Sequence, residues 1–104
     1  MTKKRLSKLS TENLLKMIRH AIETGSYLDT RHASDRRSER FISRLEMEYI
    51  LVNGRHEKRK DQYEEAYEGW SYAIRGETID KRDLRIVISF EDKMLVITAM
   101  EVGK

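Results

Sequence analysis

The side chains best suited to chemistry lie in one short segment, Thr30–Arg40, where polar and charged residues replace apolar ones. The four that can act together are His32, Arg36, Glu39 and Arg40. In a helix, at about 100° per residue, they fall within roughly one third of the circumference. An imidazole, two guanidinium groups and a carboxylate on one face can bind and cleave a phosphodiester, or they can form an ordinary solvated surface.

Each of these four groups can have a role in metal-independent cleavage of RNA. It needs a general base for the 2′-hydroxyl, cations for the phosphorane and an acid for the leaving 5′-oxygen. We assign the acid or base to His32, because an imidazole exchanges protons near neutral pH. Glu39 is predicted to orient His32 or to act as the second acid/base group. Arg36 and Arg40 are predicted to clamp the phosphate through bidentate contacts, which lysine cannot make.

Two residues far from this segment are predicted to contact the same nucleic acid. Arg75 lies at the end of a predicted strand, and Thr98 lies in the last predicted strand. Structural roles are the alternative, because charged side chains three or four residues apart on a helix also pair with each other. In that case Arg36 pairs with Glu39, or Glu39 and Arg40 form a buried ion pair that fixes the helix against the sheet.

The composition predicts one highly charged, globular domain. The chain has 104 residues, of which 38% are charged, and its length suits a single core. The absence of cysteine excludes a disulfide, a thiol nucleophile and a cysteine zinc site. The sequence also lacks the His-Glu-x-x-His pattern and similar ligand spacings, so we expect neither a metal nor another cofactor.

The net charge of +3 is divided unevenly along the chain. Residues 1–60 carry 15 Lys and Arg against 8 Asp and Glu, whereas residues 61–104 carry 6 against 10. A basic half favours a polyanion such as nucleic acid as a partner, and an acidic half favours a basic protein. An ordinary solvated surface accounts for the same counts.

The N-terminal residues are predicted to form a basic arm over 1–10, followed by a single α+β domain over 11–104. The arm contains four basic residues, which are Lys3, Lys4, Arg5 and Lys8. No apolar segment of the kind found in a signal peptide follows them, and no apolar run reaches the length of a membrane span. We therefore expect a cytoplasmic protein of bacterial type that does not associate with membranes.

Two helices are predicted in the first 40 residues. The first helix begins after Ser10 or Thr11, which are both good N-caps, and ends at Gly25. It has one apolar side and is predicted to pack on the core. The second is the polar helix described above, beginning near Thr30 or Ser34.

A third helix is predicted over Ser43–Val52. Ser43 and Glu46 have the spacing of a capping box, and Asn53-Gly54 is typical of a helix end. The apolar residues predicted to lie on its buried sides are Leu45, Met47, Tyr49, Ile50, Leu51 and Val52.

Beyond Gly54 the apolar residues alternate in the manner of strands. In residues 84–90 large apolar side chains recur at every second position, and residues 94–102 are almost continuously apolar, as in a central strand. A turn at 91–93 joins them, residues 70–74 form a further strand, and residues 55–66 are either a strand or a charged edge. The predicted fold is therefore α+β, with about three helices packed on a three- to four-stranded antiparallel sheet.

An aromatic cluster lies in the acidic half of the chain. Its members are Tyr63, Tyr67, Trp70 and Tyr72. Glutamates lie between these residues and would repel a nucleic-acid backbone, so a core position or a protein interface is favoured over base stacking. The histidines outside the polar helix, His20 and His56, are both expected to be exposed.

The sequence resembles a widespread bacterial domain-of-unknown-function family from about Leu14 to Met100. The residues that carry the resemblance are His32-Ala33, Arg36, Glu39-Arg40, Ile42-Ser43, Asn53-Gly54 and Val96-Ile97-Thr98. Members of that family usually have Gly where this chain has Phe41, and they are similar to small toxins encoded beside zinc-finger antitoxins. The resemblance implies a compact α+β domain similar to RelE-like and barnase-like ribonucleases.

We therefore predict a toxin-like, metal-independent endoribonuclease of a bacterial toxin–antitoxin system. The expected partners are RNA, including RNA on the ribosome, and an antitoxin protein that contacts the aromatic cluster. Two other classes remain open. One is a non-catalytic nucleic-acid-binding domain in which the same arginines bind phosphate, and the other is a protein-interaction domain whose charges are ordinary surface.

Overall fold

Each of the three predicted helices is present and begins at a side-chain cap. The computed structural model describes residues 8–66, 68–90 and 93–103. The helices in these ranges are α1 (Thr11–Thr24), α2 (Arg31–Glu39) and α3 (Arg44–Asn53), with a short 3-10 helix at Lys58–Lys60. The strands are β1 (Tyr27–Asp29), β2 (Arg55–His56), β3 (Gln62–Glu64), β4 (Gly69–Glu77), β5 (Asp83–Phe90) and β6 (Met94–Glu101). The α+β class is confirmed.

The caps explain where α1 and α3 begin and end. The Ser10 hydroxyl accepts from the Asn13 amide at 3.2 Å, and Gly25 ends α1 at a φ of 70°. Both bonds of the predicted capping box are formed at α3. The Glu46 amide donates to the Ser43 hydroxyl at 3.0 Å, and the Ser43 amide donates to the Glu46 carboxylate at 2.9 Å.

The sheet has six strands and is mixed, so the prediction of three or four antiparallel strands was wrong. Its order is β1-β6-β5-β4-β2, with β3 also paired to β4. β1 runs parallel to β6, and the other pairs are antiparallel. The three strands that the sequence did not resolve, β1, β2 and β3, have only two or three residues each. Such segments are too short to show a period of two.

The core lies between one face of the sheet and helices α1 and α3. Buried side chains of the two helices pack against alternate residues of the three long strands. The largest of these buried side chains are Leu14, Ile18, Met47, Ile50 and Leu51 from the helices, with Ile74, Leu84, Ile86, Ile88, Met94 and Val96 from the sheet. The residues between them in β4, β5 and β6 lie on the opposite face, which we call the second face.

Two side chains of α3 are not buried as predicted. Leu45 is 78% exposed and Tyr49 is 42% exposed, whereas Met47, Ile50 and Leu51 are buried. A helix that rests on a sheet buries only one side. Because six of the eight residues from 45 to 52 are apolar, the periodicity did not show which side of the helix would be buried.

Part of the predicted arm contacts the sheet. The Lys8 ammonium lies 3.0 Å from the Asp61 carboxylate, and the Leu9 amide donates to the Tyr72 hydroxyl at 2.9 Å. Lys3, Lys4 and Arg5 lie outside the described residues, as do residues 91 and 92 of the predicted turn.

His56 is buried, which corrects the expectation that it is exposed. Its side chain is 1% exposed and lies 2.7 Å from the Asp61 carboxylate and 2.7 Å from the Thr11 hydroxyl. The surrounding Arg and Lys residues made the segment look solvated, but β2 pairs with β4 and carries His56 onto the helix-covered face. His20 is exposed, as expected.

Candidate functional site at the junction of α2 and β6

Thr30 fixes the beginning of α2 to β6. Its hydroxyl accepts from the Ala33 amide at 3.1 Å, which caps the helix, and donates to the Val96 carbonyl at 2.8 Å. Ala33 is the one residue of α2 that is buried. Because so little apolar surface is covered, polar contacts must fix the position of this helix.

Arg40 and Arg37 fix the other end of the helix. The Arg40 guanidinium donates to the Ala99 carbonyl at 2.7 Å. Arg37 forms a nearly buried ion pair with Asp29 at the end of β1. Together with Thr30, Arg40 attaches the two ends of α2 to β6 at residues that lie on either side of Thr98 in the strand.

His32 lies in the first turn of α2 and is exposed. Its imidazole makes no hydrogen bond or ion pair with any residue in the described part of the chain. In the described residues His32 therefore does not donate to a backbone carbonyl at the start of the helix. The ring is accessible to a ligand or to bulk solvent.

Arg36 and Glu39 form the pair that the sequence left open as a structural alternative. The guanidinium lies 2.7 Å from the carboxylate, with the two side chains 40% and 59% exposed. A buried pair between Glu39 and Arg40 is not formed, because Arg40 binds the Ala99 carbonyl and Glu39 is exposed. Arg36 thus keeps an accessible positive charge with one carboxylate beside it.

Arg75 is part of a different cluster, on the second face. Its guanidinium donates to both oxygens of Asp83, at 3.0 and 2.6 Å, and to Glu57 at 3.0 Å. Arg85, its partner in the register of β4 and β5, donates to both oxygens of the same Glu57 carboxylate, at 2.6 and 3.2 Å. Glu57 is therefore bound between two guanidinium groups. We call Glu57, Arg75, Asp83 and Arg85 the arginine–carboxylate cluster.

The pKa values of the cluster carboxylates reflect this arrangement. Hydrogen bonds from Arg85 and then Arg75 lower the pKa of Glu57 to about 2, although burial opposes the shift. The bidentate bond from Arg75 likewise lowers the pKa of Asp83. Both carboxylates remain charged at neutral pH, so the positive charge of Arg75 is balanced within the cluster.

Thr98 lies on the second face, opposite Val87 in the register of β5 and β6, and is half-buried. Arg75 lies on the same face but two strands away, which places the two backbones on the order of 10 Å apart. The sheet therefore brings Thr98 near α2 and places Arg75 on the far side of β5.

Comparison with known proteins places this arrangement in a family. A family model described as a domain of unknown function, DUF4258, matches residues 30–101. The chain belongs to the DUF4258 family. No curated protein and no solved structure matches it.

The DUF4258 region begins at Thr30, the cap of α2, and ends at Glu101, the last residue of β6. It therefore includes all six residues singled out from the sequence, together with the arginine–carboxylate cluster. α1 and β1 precede it. None of the helices in the described residues is long and apolar enough to cross a lipid bilayer.

Sequence reasoning did not find Glu57 or Arg85 within the DUF4258 region. Arg85 interrupts an apolar strand, which is a weak signal for a partnered charge. Glu57 is 28 residues from Arg85 and 18 from Arg75, so only the strand register reveals the contact. The aromatic cluster is also partly internal. Tyr72 is 3% exposed and Trp70 is half-buried beneath Lys8, while Tyr67 lies outside the described residues.

Proposed function

We propose that this chain is a toxin-like, metal-independent endoribonuclease, similar to the RelE-like and barnase-like enzymes, with its site at the junction of α2 and β6. The observation that carries the proposal is the attachment of both ends of α2 to β6 on either side of Thr98. This attachment holds an exposed imidazole and an accessible arginine on a helix that contributes little to the core. Ligand binding would account for a helix that contributes so little to the core.

In this proposal His32 is the general acid or base, because its ring is exposed and has no partner in the described chain. Arg36 binds the phosphate, and Glu39 holds Arg36 in position through their 2.7 Å contact. Arg40 keeps the helix against β6 and adds positive charge beside it. Thr98 supplies a hydroxyl that positions the substrate.

Arg75 has a more distant role than the sequence indicated. Its donors are occupied by Asp83 and Glu57, so a phosphate would have to displace a carboxylate in order to bind it. We therefore assign direct phosphate binding to α2 and a supporting, structural role to Arg75.

The proposed partners follow from this chemistry. The substrate is RNA, free or on the ribosome, and the second partner is an antitoxin protein in a bacterial cytoplasm. A non-catalytic RNA-binding domain is the second candidate, favoured because Glu39 pairs with Arg36 and leaves the His32 imidazole without a carboxylate to orient it in the described chain. If the chain is instead a protein-interaction domain whose charges are ordinary surface, α2 should not bind RNA.

Cleavage of labelled total RNA in the presence of EDTA tests the proposal. We expect the purified chain to cut RNA, and we expect His32→Ala to lower the initial rate by a factor of about 10² to 10⁴, as for loss of a general acid or base. His20→Ala is the matched control, because His20 is also exposed and helical but lies on α1. It should cleave at the wild-type rate.

Folding of each variant is checked by circular dichroism. RNA binding without cleavage, in the wild type and in His32→Ala alike, would contradict the enzyme and establish the second candidate. Equal cleavage by His32→Ala and His20→Ala would place the chemistry elsewhere. If the wild type neither cleaves nor binds RNA, both candidates are wrong.

A further inference from the structure

Four large apolar side chains are exposed on α3, on the turn before it and on the turn that joins β4 to β5. They are Phe41 at 85%, Leu45 at 78%, Ile79 at 84% and Tyr49 at 42%. Three of them, Leu45, Tyr49 and Ile79, line one groove. The Phe41 backbone lies near that groove, because Arg82 donates to the Phe41 carbonyl at 2.8 Å and lies 3.6 Å from Glu46, which also lines the groove. We call these four side chains the apolar patch.

Phe41 has an unfavourable conformation in the isolated chain. Its φ is 55°, in the left-handed region, which is disfavoured for a bulky residue other than glycine. Arg82 holds this turn rigidly by donating to the carbonyls of Arg40 and Phe41, at 2.7 and 2.8 Å. The ring is almost fully exposed, so burial within the monomer does not offset the backbone strain. A contact outside the monomer would bury the ring.

The groove beside Phe41 lies between α3 and the turn that joins β4 to β5. Its volume is about 370 Å³, enough for an aromatic side chain, and its polar lining residues are Glu46, Thr78 and Asp80. The same surface therefore presents a protruding ring and a groove that can receive one. A surface with both parts is self-complementary, which is the requirement for a two-fold symmetric interface.

The charges around the patch also suit a second copy. Glu77 and Lys81 form an exposed pair at 3.8 Å, and Glu46 lies beside Arg82. A rim with both signs of charge does not select a strongly acidic or strongly basic partner. A stable interface buries about 800 Å² on each partner with an apolar centre, and four large side chains of about 100 Å² or more each supply that centre.

We propose that the chain forms a symmetric homodimer through the apolar patch, in which Phe41 of each copy enters the groove of the other. The interface lies on α3 and the β4–β5 turn and does not depend on the ribonuclease proposal. It also assigns a role to Leu45 and Tyr49, which the fold leaves in solvent.

Sedimentation velocity of the full chain over a range of micromolar concentrations tests the dimer. We expect the wild type to sediment as a dimer and to dissociate on dilution. Phe41→Gly and Ile79→Glu should each weaken the dimer about 30-fold or more, as expected for a residue at the centre of an interface. Met17→Glu is the matched control, because Met17 is a partly exposed apolar residue on α1, and it should not change the dissociation constant.

A second measurement separates loss of the interface from loss of folding. At concentrations where every variant is monomeric, Phe41→Gly should unfold at higher urea than Phe41→Ala, because glycine accepts the left-handed backbone. A wild type that stays monomeric at every concentration overturns the homodimer, even if the patch captures another protein. Variants that dimerise as tightly as the wild type overturn the assignment of the patch.

Discussion

Two regions of this molecule combine arginine with carboxylate, and they differ mainly in their exposure to water. On α2, Arg36 and Glu39 are 40% and 59% exposed and contact each other once. In the arginine–carboxylate cluster, the side chains of Arg75, Arg85 and Glu57 are 19%, 16% and 7% exposed. Two bidentate contacts, Arg75–Asp83 and Arg85–Glu57, and one single hydrogen bond from Arg75 to Glu57 connect the four side chains.

The charges of the cluster stabilise the fold, whereas the charges of α2 remain accessible to a ligand. In the cluster, donors and acceptors satisfy one another, and the pKa of Glu57 falls to about 2 as a result. On α2, a single exposed pair contributes little to stability, and His32 stays without a partner in the described chain. Residue type alone does not distinguish the two regions. Burial and the number of partners do.

Removal of one carboxylate from each region should show the largest contrast. Glu57→Ala leaves the Arg85 guanidinium without its carboxylate partner and Arg75 with Asp83 alone, and should lower the free energy of unfolding by about 3 kcal/mol. Glu39→Ala breaks an exposed pair and should lower it by less than about 0.5 kcal/mol. Urea unfolding followed by circular dichroism measures both variants beside the wild type. Equal losses in the two variants would contradict the contrast.

Acid should weaken the arginine–carboxylate cluster. The folded-state pKa of Glu57 is about 2, below its ordinary value of 4.5, so the folded chain binds protons less readily than the unfolded chain. The resulting stability is fully present above about pH 4.5 and is lost as the pH falls towards about 2. The free energy of unfolding, measured in urea at successive pH values, should therefore fall by about 3 kcal/mol or less.

The variant Glu57→Gln has no carboxylate to protonate at this position, so its stability should fall less steeply over the same pH range. Asp83, whose pKa is also lowered, retains its own smaller contribution. Glu39→Gln should follow the wild-type curve. An unchanged slope in Glu57→Gln would show that other carboxylates cause the acid sensitivity.

Local signals in the sequence predicted the helices well. Ser10, Gly25 and the Ser43–Glu46 capping box act within a few residues, and each lies where the sequence placed it. Strand pairing depends on contacts that are distant along the chain. The parallel contact of β1 with β6 joins Tyr27 to Met94, and no local pattern encodes it.

The candidate site was predictable only in part, for the same reason. The polar character of α2 follows directly from residues 31–39 and is observed. The donors of Arg75 are occupied because Glu57 and Asp83 lie beside it. The burial of His56 depends on Asp61 and α1. Both outcomes require the tertiary structure, which brings together residues that appear isolated and solvated in the sequence.

The smallest expected change in stability tests whether α2 is available to a ligand. Arg36→Ala should change the free energy of unfolding by less than about 0.5 kcal/mol, because its pair with Glu39 is exposed. If Arg36 binds a phosphate, the variant should bind RNA more weakly. The slope of the logarithm of its RNA-binding constant against the logarithm of the salt concentration should also be shallower by about 1. Lys16→Ala is the matched control, since Lys16 also forms an exposed pair with a glutamate, Glu12, on α1. A salt slope that changes equally in both variants would mean that RNA senses only the total charge, whereas a change confined to Arg36→Ala would place the RNA backbone on α2.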